Sequence, residues 1–137
     1  MLRRLVGLVA LVAILCGCSM SADTELAEQA VQKFHEQLNV GRFDAIYAES
    51  AGELKRATTQ QDFIAILDAV HRKLGNTKVS DKTASTVNYQ TSGSFVTLRY
   101  QTTFDGGSAQ EQFVFRLQDH AAALVGYNIN SPALVLK

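Results

Sequence analysis

The amino-acid sequence predicts an α+β domain in which about three helices precede about four antiparallel strands. Up to Gly75, apolar residues recur every three or four positions, as they do in amphipathic helices. After Gly75 they recur at every second position, as they do in half-buried strands. A turn with two glycines, Asp105 to Ser108, separates two of these strands. Runs of helices followed by runs of strands are typical of the α+β class.

A short leader precedes the predicted domain. Met1 to Arg4 is cationic, and Leu5 to Leu15 is an unbroken apolar run. A membrane-spanning helix needs about 20 apolar residues, so this run is about half the required length. A buried helix of a globular domain would carry polar residues on one side, and this run carries none. The pattern predicts a signal peptide over residues 1–17.

The sequence Leu15-Cys16-Gly17-Cys18 resembles the lipobox of bacterial lipoproteins. Cys18 fits the lipidated position because Gly17 precedes it and Leu15 lies three residues before it. Cys16 does not fit, since the bulky Leu15 precedes it directly, and it is a mild departure from the residues usual at its position. The resemblance implies cleavage after Gly17 and a lipid on the Cys18 sulfur. Several acyl chains, at about 0.8 kcal/mol per buried methylene, would then hold the protein on a membrane.

The residues after Cys18 bear on localisation and on possible partners. Residues 18–23 are interpreted as the lipidated cysteine and a short tether, and residues 24–137 as one domain. Ser19 follows the cysteine instead of Asp, which by resemblance to diderm lipoproteins implies the periplasmic side of the outer membrane. Without Arg3 and Arg4, 11 basic residues face 13 acidic ones and no basic run remains. We therefore expect no nucleic-acid partner.

Capping residues delimit the predicted helices. The first has its apolar stripe from Leu26 to Leu38, with Asp23 or Thr24 as N-cap and Gly41 at its end. A short second helix begins near Phe43.

The third helix begins with a capping box, in which Asp62 follows Thr59 by three residues, and it ends at Gly75-Asn76. Its apolar stripe consists of Phe63, Ile66, Leu67, Val70 and Leu74.

The predicted strands differ in polarity. The first, from Lys78 to Tyr89, is polar and suits an exposed sheet edge, where charged residues discourage strand addition. The last, from Ala121 to Ile129, is small and aliphatic. Between them, alternation divides a helix-facing side from an outer face, which carries Phe95, Thr97, Arg99, Gln101, Gln112, Val114 and Arg116.

A family resemblance rests on Gly41-Arg42-Phe43-Asp44 with Tyr47, on Phe63 and on Lys73-Leu74-Gly75. These residues and the element order resemble the cone-shaped NTF2-like superfamily. More narrowly, they are similar to bacterial lipoproteins and periplasmic proteins with DUF4019- or DUF3887-type domains. The resemblance covers nearly all of Asp23 to Lys137. It implies a curved sheet and a pocket between helices and sheet, but no particular activity.

Enzymes of that superfamily use buried carboxylates, histidines or tyrosines, which here makes Tyr47, Asp68, His71 and Tyr100 the candidates. Asp68 and His71 are three residues apart on the predicted third helix, within reach for an acid/base pair. We favour the interpretation that Asp68 faces water and His71 borders the apolar stripe. Tyr47, His71 and Tyr100 are the candidate pocket residues, although both tyrosines also suit core positions with their hydroxyls at the rim.

The remaining histidines and polar clusters suggest structural roles. We expect His35, at a helix flank, and His120, in a turn, to be solvated. A polar cluster beside Pro132 consists of Asn128, Asn130 and Ser131. It could form a surface that binds a partner. Alternatively, a last strand bends out of the sheet here, and the asparagine side chains bond the backbone groups that the bend frees. We favour the bend.

Metal, phosphate and nucleophile motifs are not recognised in the sequence, so we expect no metal and no cofactor. Two functional hypotheses remain. One is a non-catalytic module that binds a small apolar ligand or a protein, with the sheet face around Phe95 and Val114 as a homodimer or partner surface. The alternative is an NTF2-like enzyme that uses Asp68 and His71.

Overall fold

The computed structural model describes the backbone of residues 15–136 and the side chains of residues 20–136. Five helices and a four-stranded antiparallel sheet of order β1-β2-β3-β4 make up this part. The elements are α1 (Leu15–Asn39), α2 (Phe43–Ala48), α3 (Gly52–Ala57), α4 (Gln60–Leu74), β1 (Thr77–Gln90), β2 (Gly93–Phe104), β3 (Gly107–Gln118), β4 (Ala121–Asn130) and α5 (Pro132–Leu136). The predicted α+β class is confirmed. Most of the predicted signal peptide, residues 1–14, lies outside the described residues.

Helix α1 begins earlier than predicted. Its first residue is Leu15, whereas Asp23 or Thr24 was expected as the N-cap, so the backbone of the predicted tether is helical. No proline interrupts this segment, and the Thr24 hydroxyl donates to the carbonyl of Met20, one turn earlier (2.9 Å). The end of the helix agrees with the prediction, since α1 ends at Asn39 and Gly41, two residues later, adopts a φ of 75°.

The caps of α4 are the predicted ones. The Thr59 side chain accepts a hydrogen bond from the backbone N–H of Asp62 (3.1 Å), and Gly75 ends the helix with a φ of 76°. The short helix α3 was not predicted. Its sequence GELKRA has no apolar stripe, and only Leu54 is buried.

Tight turns join the strands into a meander. Asp105 and Gly106 connect β2 to β3, and Asp119 and His120 connect β3 to β4 with φ values of 52° and 60°. Two consecutive residues with positive φ are typical of the turn type that suits the twist of antiparallel strands. Register shifts in β1 and in the β3–β4 pairing mark bulges, which bend the sheet.

Helix α1 lies across the sheet and contacts all four strands. Its Phe34 ring meets Phe113 of β3 edge-on (5.1 Å between centroids) and Tyr127 of β4 at 4.7 Å. These rings and the aliphatic side chains around them fill the space between α1 and the sheet. The largest fully buried apolar side chains are Phe104, Phe113, Leu38, Leu67, Leu74, Leu98, Val31 and Val96.

The prediction for the C-terminal segment is only partly right: the chain turns after the last strand, but β4 stays paired in the sheet through Asn130, and Ser131, not an asparagine, bonds the backbone at the turn. Strand β4 ends at Asn130 and the chain turns into α5. The Ser131 hydroxyl donates to the carbonyl of Ser108 (2.7 Å) and accepts from the N–H of Ala133 (3.3 Å). Lys73 of α4 donates to the carbonyl of Leu134 (2.7 Å), which ties α5 to α4.

The β2–β3 turn lies close to the end of α4, so replacing Gly106 of this turn by alanine should destabilise the fold more than replacing Gly126. A Cβ at Gly106 would lie 2.9 Å from the carbonyl oxygen of Lys73, whereas a Cβ at Gly126 would meet nothing within 4 Å. We expect Gly106→Ala to lower the free energy of unfolding by about 1–3 kcal/mol, as overpacking does. Gly126→Ala is the control and should leave it unchanged or raise it. Urea denaturation measures both, and equal effects would contradict the packing at this turn.

Candidate functional site

Two concavities of the described residues lie on opposite sides of the sheet. A groove of about 510 Å³ lies on the outer face, away from α1. A smaller hollow of about 180 Å³ lies where α1 and α2 meet β3 and β4, at the ion pair of Lys33 with Glu49 (2.9 Å). Hydrogen bonding by Lys33 holds the pKa of the Glu49 carboxyl below its usual range. The larger of these two concavities is therefore on the outer face of the sheet.

Strand register builds this outer groove from two rows of polar side chains. In one row, β2, β3 and β4 contribute Gln101, Gln110 and Asn130 as direct cross-strand neighbours. In the next row, the same strands contribute Arg99, Gln112 and Asn128. The Nε of Arg99 donates to the Oε1 of Gln112 (2.9 Å). Five amide side chains and one guanidinium thus line the groove.

Beyond the groove, the outer face of β3 is joined to α3 through Arg116. The guanidinium of Arg116 lies 4.7 Å from the centre of the Phe95 ring and bonds the Glu53 carboxylate of α3 (2.9 Å from Nε to Oε1) and the carbonyl of Ser92. This hydrogen bonding by Arg116 holds the pKa of the Glu53 carboxyl below its usual range. Phe95 and Val114, the apolar residues predicted for a partner surface, are only partly exposed.

A chain of polar side chains crosses the opposite, helix-facing side of the sheet. Glu111 of β3 is 2 % exposed; one carboxylate oxygen lies 2.8 Å from the Nε2 of His35, and the other accepts from the hydroxyl of Tyr127 (2.6 Å). The hydroxyl of Ser80 lies 3.4 Å from the Nδ1 of His35 and 3.1 Å from the hydroxyl of Thr102. These groups satisfy one another within the core, as buried polar groups must.

This buried chain leaves little for a substrate to contact. Both carboxylate oxygens of Glu111 are engaged, and His35 is 7 % exposed. Burial, and next the nearby Glu111, raises the pKa of Tyr127 well above its ordinary value. Among residues 20–136, no buried side-chain nitrogen or oxygen lacks a hydrogen-bond partner. The arrangement is that of a satisfied core network.

The prediction that His35 is solvated is wrong. It follows Phe34 on the wide buried side of α1, and Glu111 faces it from the sheet. A signal was present in the sequence, because the alternation of β3 places Glu111 on the apolar side with Phe113 and Phe115, and a buried carboxyl requires a partner. The other histidine prediction is confirmed, since His120 is exposed in its turn.

The predicted acid/base candidates have separate partners. Asp68 bonds Arg72 one turn later (2.7 Å), on the solvent-facing side of α4. His71 bonds the side chain of Asn76 (3.2 Å), and its ring lies 6.0 Å from Phe43. Neither residue lines the outer groove or the smaller hollow.

The two candidate tyrosines lie at different places. Tyr47 packs near Phe63 and donates its hydroxyl to the carbonyl of Thr58 (3.1 Å), away from both concavities. Tyr100 borders the outer groove, but it is only 8 % exposed and its ring lies edge-on to Phe113 at 6.0 Å. Burial, and then Glu28 and Glu111, raises the pKa of Tyr100 to about 12. The structure does not bring the candidate pocket residues together.

Two further observations concern the described part of the chain alone. No three of its His, Cys, Asp and Glu side chains are grouped so that they could hold a metal ion. None of its helices is both long enough and apolar enough to cross a membrane.

Comparison with known proteins gives a family. A family model described as "Protein of unknown function (DUF4019)" matches residues 30–127, which include the C-terminal part of α1 (residues 30–39), the sheet up to Tyr127, and the buried chain. No curated protein matches the chain.

The buried chain predicts that Tyr127→Phe destabilises the fold. The substitution leaves one oxygen of Glu111 without its donor inside the core, which we expect to lower the free energy of unfolding by about 1–3 kcal/mol. Tyr89→Phe is the matched control, because the Tyr89 hydroxyl lies at the surface, 3.5 Å from Asp23. Urea denaturation of both variants provides the test. A loss no larger for Tyr127→Phe than for Tyr89→Phe would contradict a structural role for the network.

The raised pKa values of Tyr100 and Tyr127 predict alkaline destabilisation. Both folded pKa values exceed the ordinary value of 10.0, so the stabilisation from the neutral rings is fully present below about pH 10. It is lost as the pH rises through the folded pKa, which is about 12 for Tyr100 and lies well above the ordinary value for Tyr127. The free energy of unfolding should therefore fall between about pH 10 and 12, less steeply in Tyr100→Phe. An identical pH profile for that variant would refute the assignment.

Proposed function

Because the chain belongs to the DUF4019 family, whose function is unknown, we propose a function from its geometry: a non-catalytic binding module of the bacterial cell envelope, attached to a membrane through a lipid on Cys18. The observation that carries the binding role is the outer-face groove of about 510 Å³, lined by five amides and Arg99. Concave sites with a few convergent polar groups are where small ligands bind.

The side chains that fill the interior favour the outer face of the sheet as the ligand-binding site. The space between α1 and the sheet holds Phe34, Phe113 and Tyr127, and the hollow at its margin measures about 180 Å³. The outer groove is larger, and its amide groups reach solvent. Its lining favours a polar ligand over the small apolar ligand considered from the sequence.

The partners of the titratable groups favour binding over catalysis. A general acid or base must reach the proton it transfers, yet Glu111 and His35 are buried and bonded to each other. The alternative enzyme would use Asp68 with His71, which instead bond Arg72 and Asn76. No observation favours that alternative.

Membrane attachment is proposed from the lipobox resemblance. The helical backbone after Cys18 then determines how far the domain would lie from the lipid. Among the α1 side chains that the structure describes, from Met20 onward, Ala27 is the first that is fully buried, nine positions after Cys18. At about 1.5 Å per residue, a continuous helix would separate the two by about 14 Å. A lipid on Cys18 would then hold the domain close to the membrane surface, which we propose is the periplasmic face of the outer membrane.

An NTF2-like relationship is also part of the proposal. The order of helices before a bulged antiparallel sheet supports it. In this chain the sheet would serve through its outer face, because aromatic side chains occupy its helix-facing side. The same outer face remains the proposed surface for a protein partner or a second copy.

Lipid attachment predicts opposite outcomes for the two cysteines. Cys18→Ser removes the proposed lipid-accepting sulfur, so an uncleaved precursor should accumulate and palmitate labelling should disappear. Cys16→Ser is the matched control and should be cleaved and labelled normally. Immunoblotting of membrane fractions with metabolic palmitate labelling measures both. Normal processing of Cys18→Ser would overturn the anchoring proposal.

If the groove binds a ligand, a bulky substitution at Gln112 of β3 should prevent that binding. Full-length protein from its own envelope should carry an additional mass of a few hundred daltons in native mass spectrometry. Gln112→Trp fills the groove and should remove that mass, whereas Gln118→Trp, on the same strand outside the groove, should retain it. A ligand-free wild-type protein, or a ligand retained by Gln112→Trp, would contradict the proposed binding site.

A further inference from the structure

We propose that the outer-face groove binds a saccharide that carries a carboxylate, with the amide side chains bonding its hydroxyls and Arg99 its carboxylate. This inference rests on the proposed function, since it names the ligand class of the same groove. It depends on three features of the lining: the chemistry of the amides, their spacing, and the charge of Arg99.

The amide side chains match hydroxyl groups chemically. Each amide offers two N–H donors and a carbonyl acceptor, and each hydroxyl both donates and accepts. An apolar ligand would strip water from these groups without replacing its hydrogen bonds, which costs about 1–3 kcal/mol for each group left unpaired. The five amides that line the groove are Gln101, Gln110, Gln112, Asn128 and Asn130.

The spacing of the lining suits a hydroxyl-rich ring. Neighbouring strands lie about 4.8 Å apart, and residues two apart on one strand lie about 6.8 Å apart. The two-by-three array therefore presents a donor or acceptor at intervals comparable to the width of one sugar ring. An extended peptide fits the groove less well. Such a peptide binds through main-chain hydrogen bonds to a strand, and the main-chain groups of β2 and β3 already bond their neighbouring strands.

The charge of the lining favours an acidic ligand. Arg99 bonds the neutral Gln112, and among the described residues it forms no ion pair, whereas Arg72 and Arg116 are paired with Asp68 and Glu53. The one carboxyl group of the lining, on Glu111, is turned to the opposite side of the sheet. The guanidinium of Arg99 thus has donors for a carboxylate, its preferred partner.

A neighbouring residue provides an internal check on this charge argument. Asp81 of β1 pairs in register with Gln101, so it continues the row of Gln101, Gln110 and Asn130 beyond the groove, and it is exposed. Its carboxylate would repel an acidic ligand and would not affect a neutral one. Asp81→Asn should therefore strengthen binding of an acidic saccharide alone.

The test is isothermal titration calorimetry of the full chain in detergent at low salt. The probes are trisaccharides of galacturonate, mannuronate and guluronate, each compared with its methyl ester, which has the same ring and no charge. We expect one acid to bind at least 10-fold more tightly than its ester. Arg99→Ala should abolish that preference and Asp81→Asn should strengthen acid binding about 2-fold, while the control Arg72→Ala changes neither.

The other outcomes separate the two proposals. Equal affinity for acid and ester, lost in Gln112→Trp, would overturn the acidic class and leave the groove as the binding site. Binding that survives both Arg99→Ala and Gln112→Trp would overturn both proposals. Absence of binding to every probe would overturn the saccharide class. If sedimentation then shows a dimer that Gln112→Trp dissociates, a second copy of the chain occupies this face.

Discussion

The buried carboxyl group of Glu111 is the constraint on which the rest of the architecture depends. It lies at a helix-facing position of an inner strand, where solvent cannot satisfy it. Leaving such a group unpaired costs several kcal/mol, so the fold must bring a donor to each oxygen. His35 supplies one from α1 and Tyr127 supplies the other from β4. These two bonds set how α1 lies across the sheet and join it to a strand far away in sequence.

This constraint also divides the two faces of the sheet by role. The helix-facing side holds the Glu111 network and the aromatic cluster of Phe34, Phe113 and Tyr127. These groups fill the region where the family resemblance led us to expect a pocket. On the outer face, the same strands present Arg99 and the amides to solvent, so rigidity on one side supports a pre-organised polar surface on the other.

Much of the fold was predictable from the sequence because it depends on local signals. The Thr59 cap, the Gly75 stop and the alternation of β2 each follow from the chemistry of neighbouring residues. Helix α3 was missed because GELKRA contains no periodic apolar stripe, and the start of α1 was placed too late because Asp23 and Thr24 are good caps that the chain does not use.

The buried network and the candidate site were less predictable because both depend on contacts between residues that are distant in sequence. His35 and Glu111 are 76 residues apart, and only the packing of α1 on β3 brings them together. Asp68 and His71 were close in sequence but found other partners in Arg72 and Asn76. The outer polar face was partly predicted from strand alternation, while the rows that form the groove depend on the register between β2, β3 and β4.

These features together require that the helix-facing side of the sheet is closed to solvent and that its outer face is accessible. Paramagnetic relaxation by a soluble gadolinium chelate, observed by NMR of the full chain in detergent, tests it most directly. We expect strong broadening of the side-chain amide signals of Gln110, Gln112 and Asn128. We expect little effect on the Phe113 ring and the Leu98 methyl groups. Strong broadening of Phe113 and Leu98 would instead mean that the accessible pocket lies between the helices and the sheet.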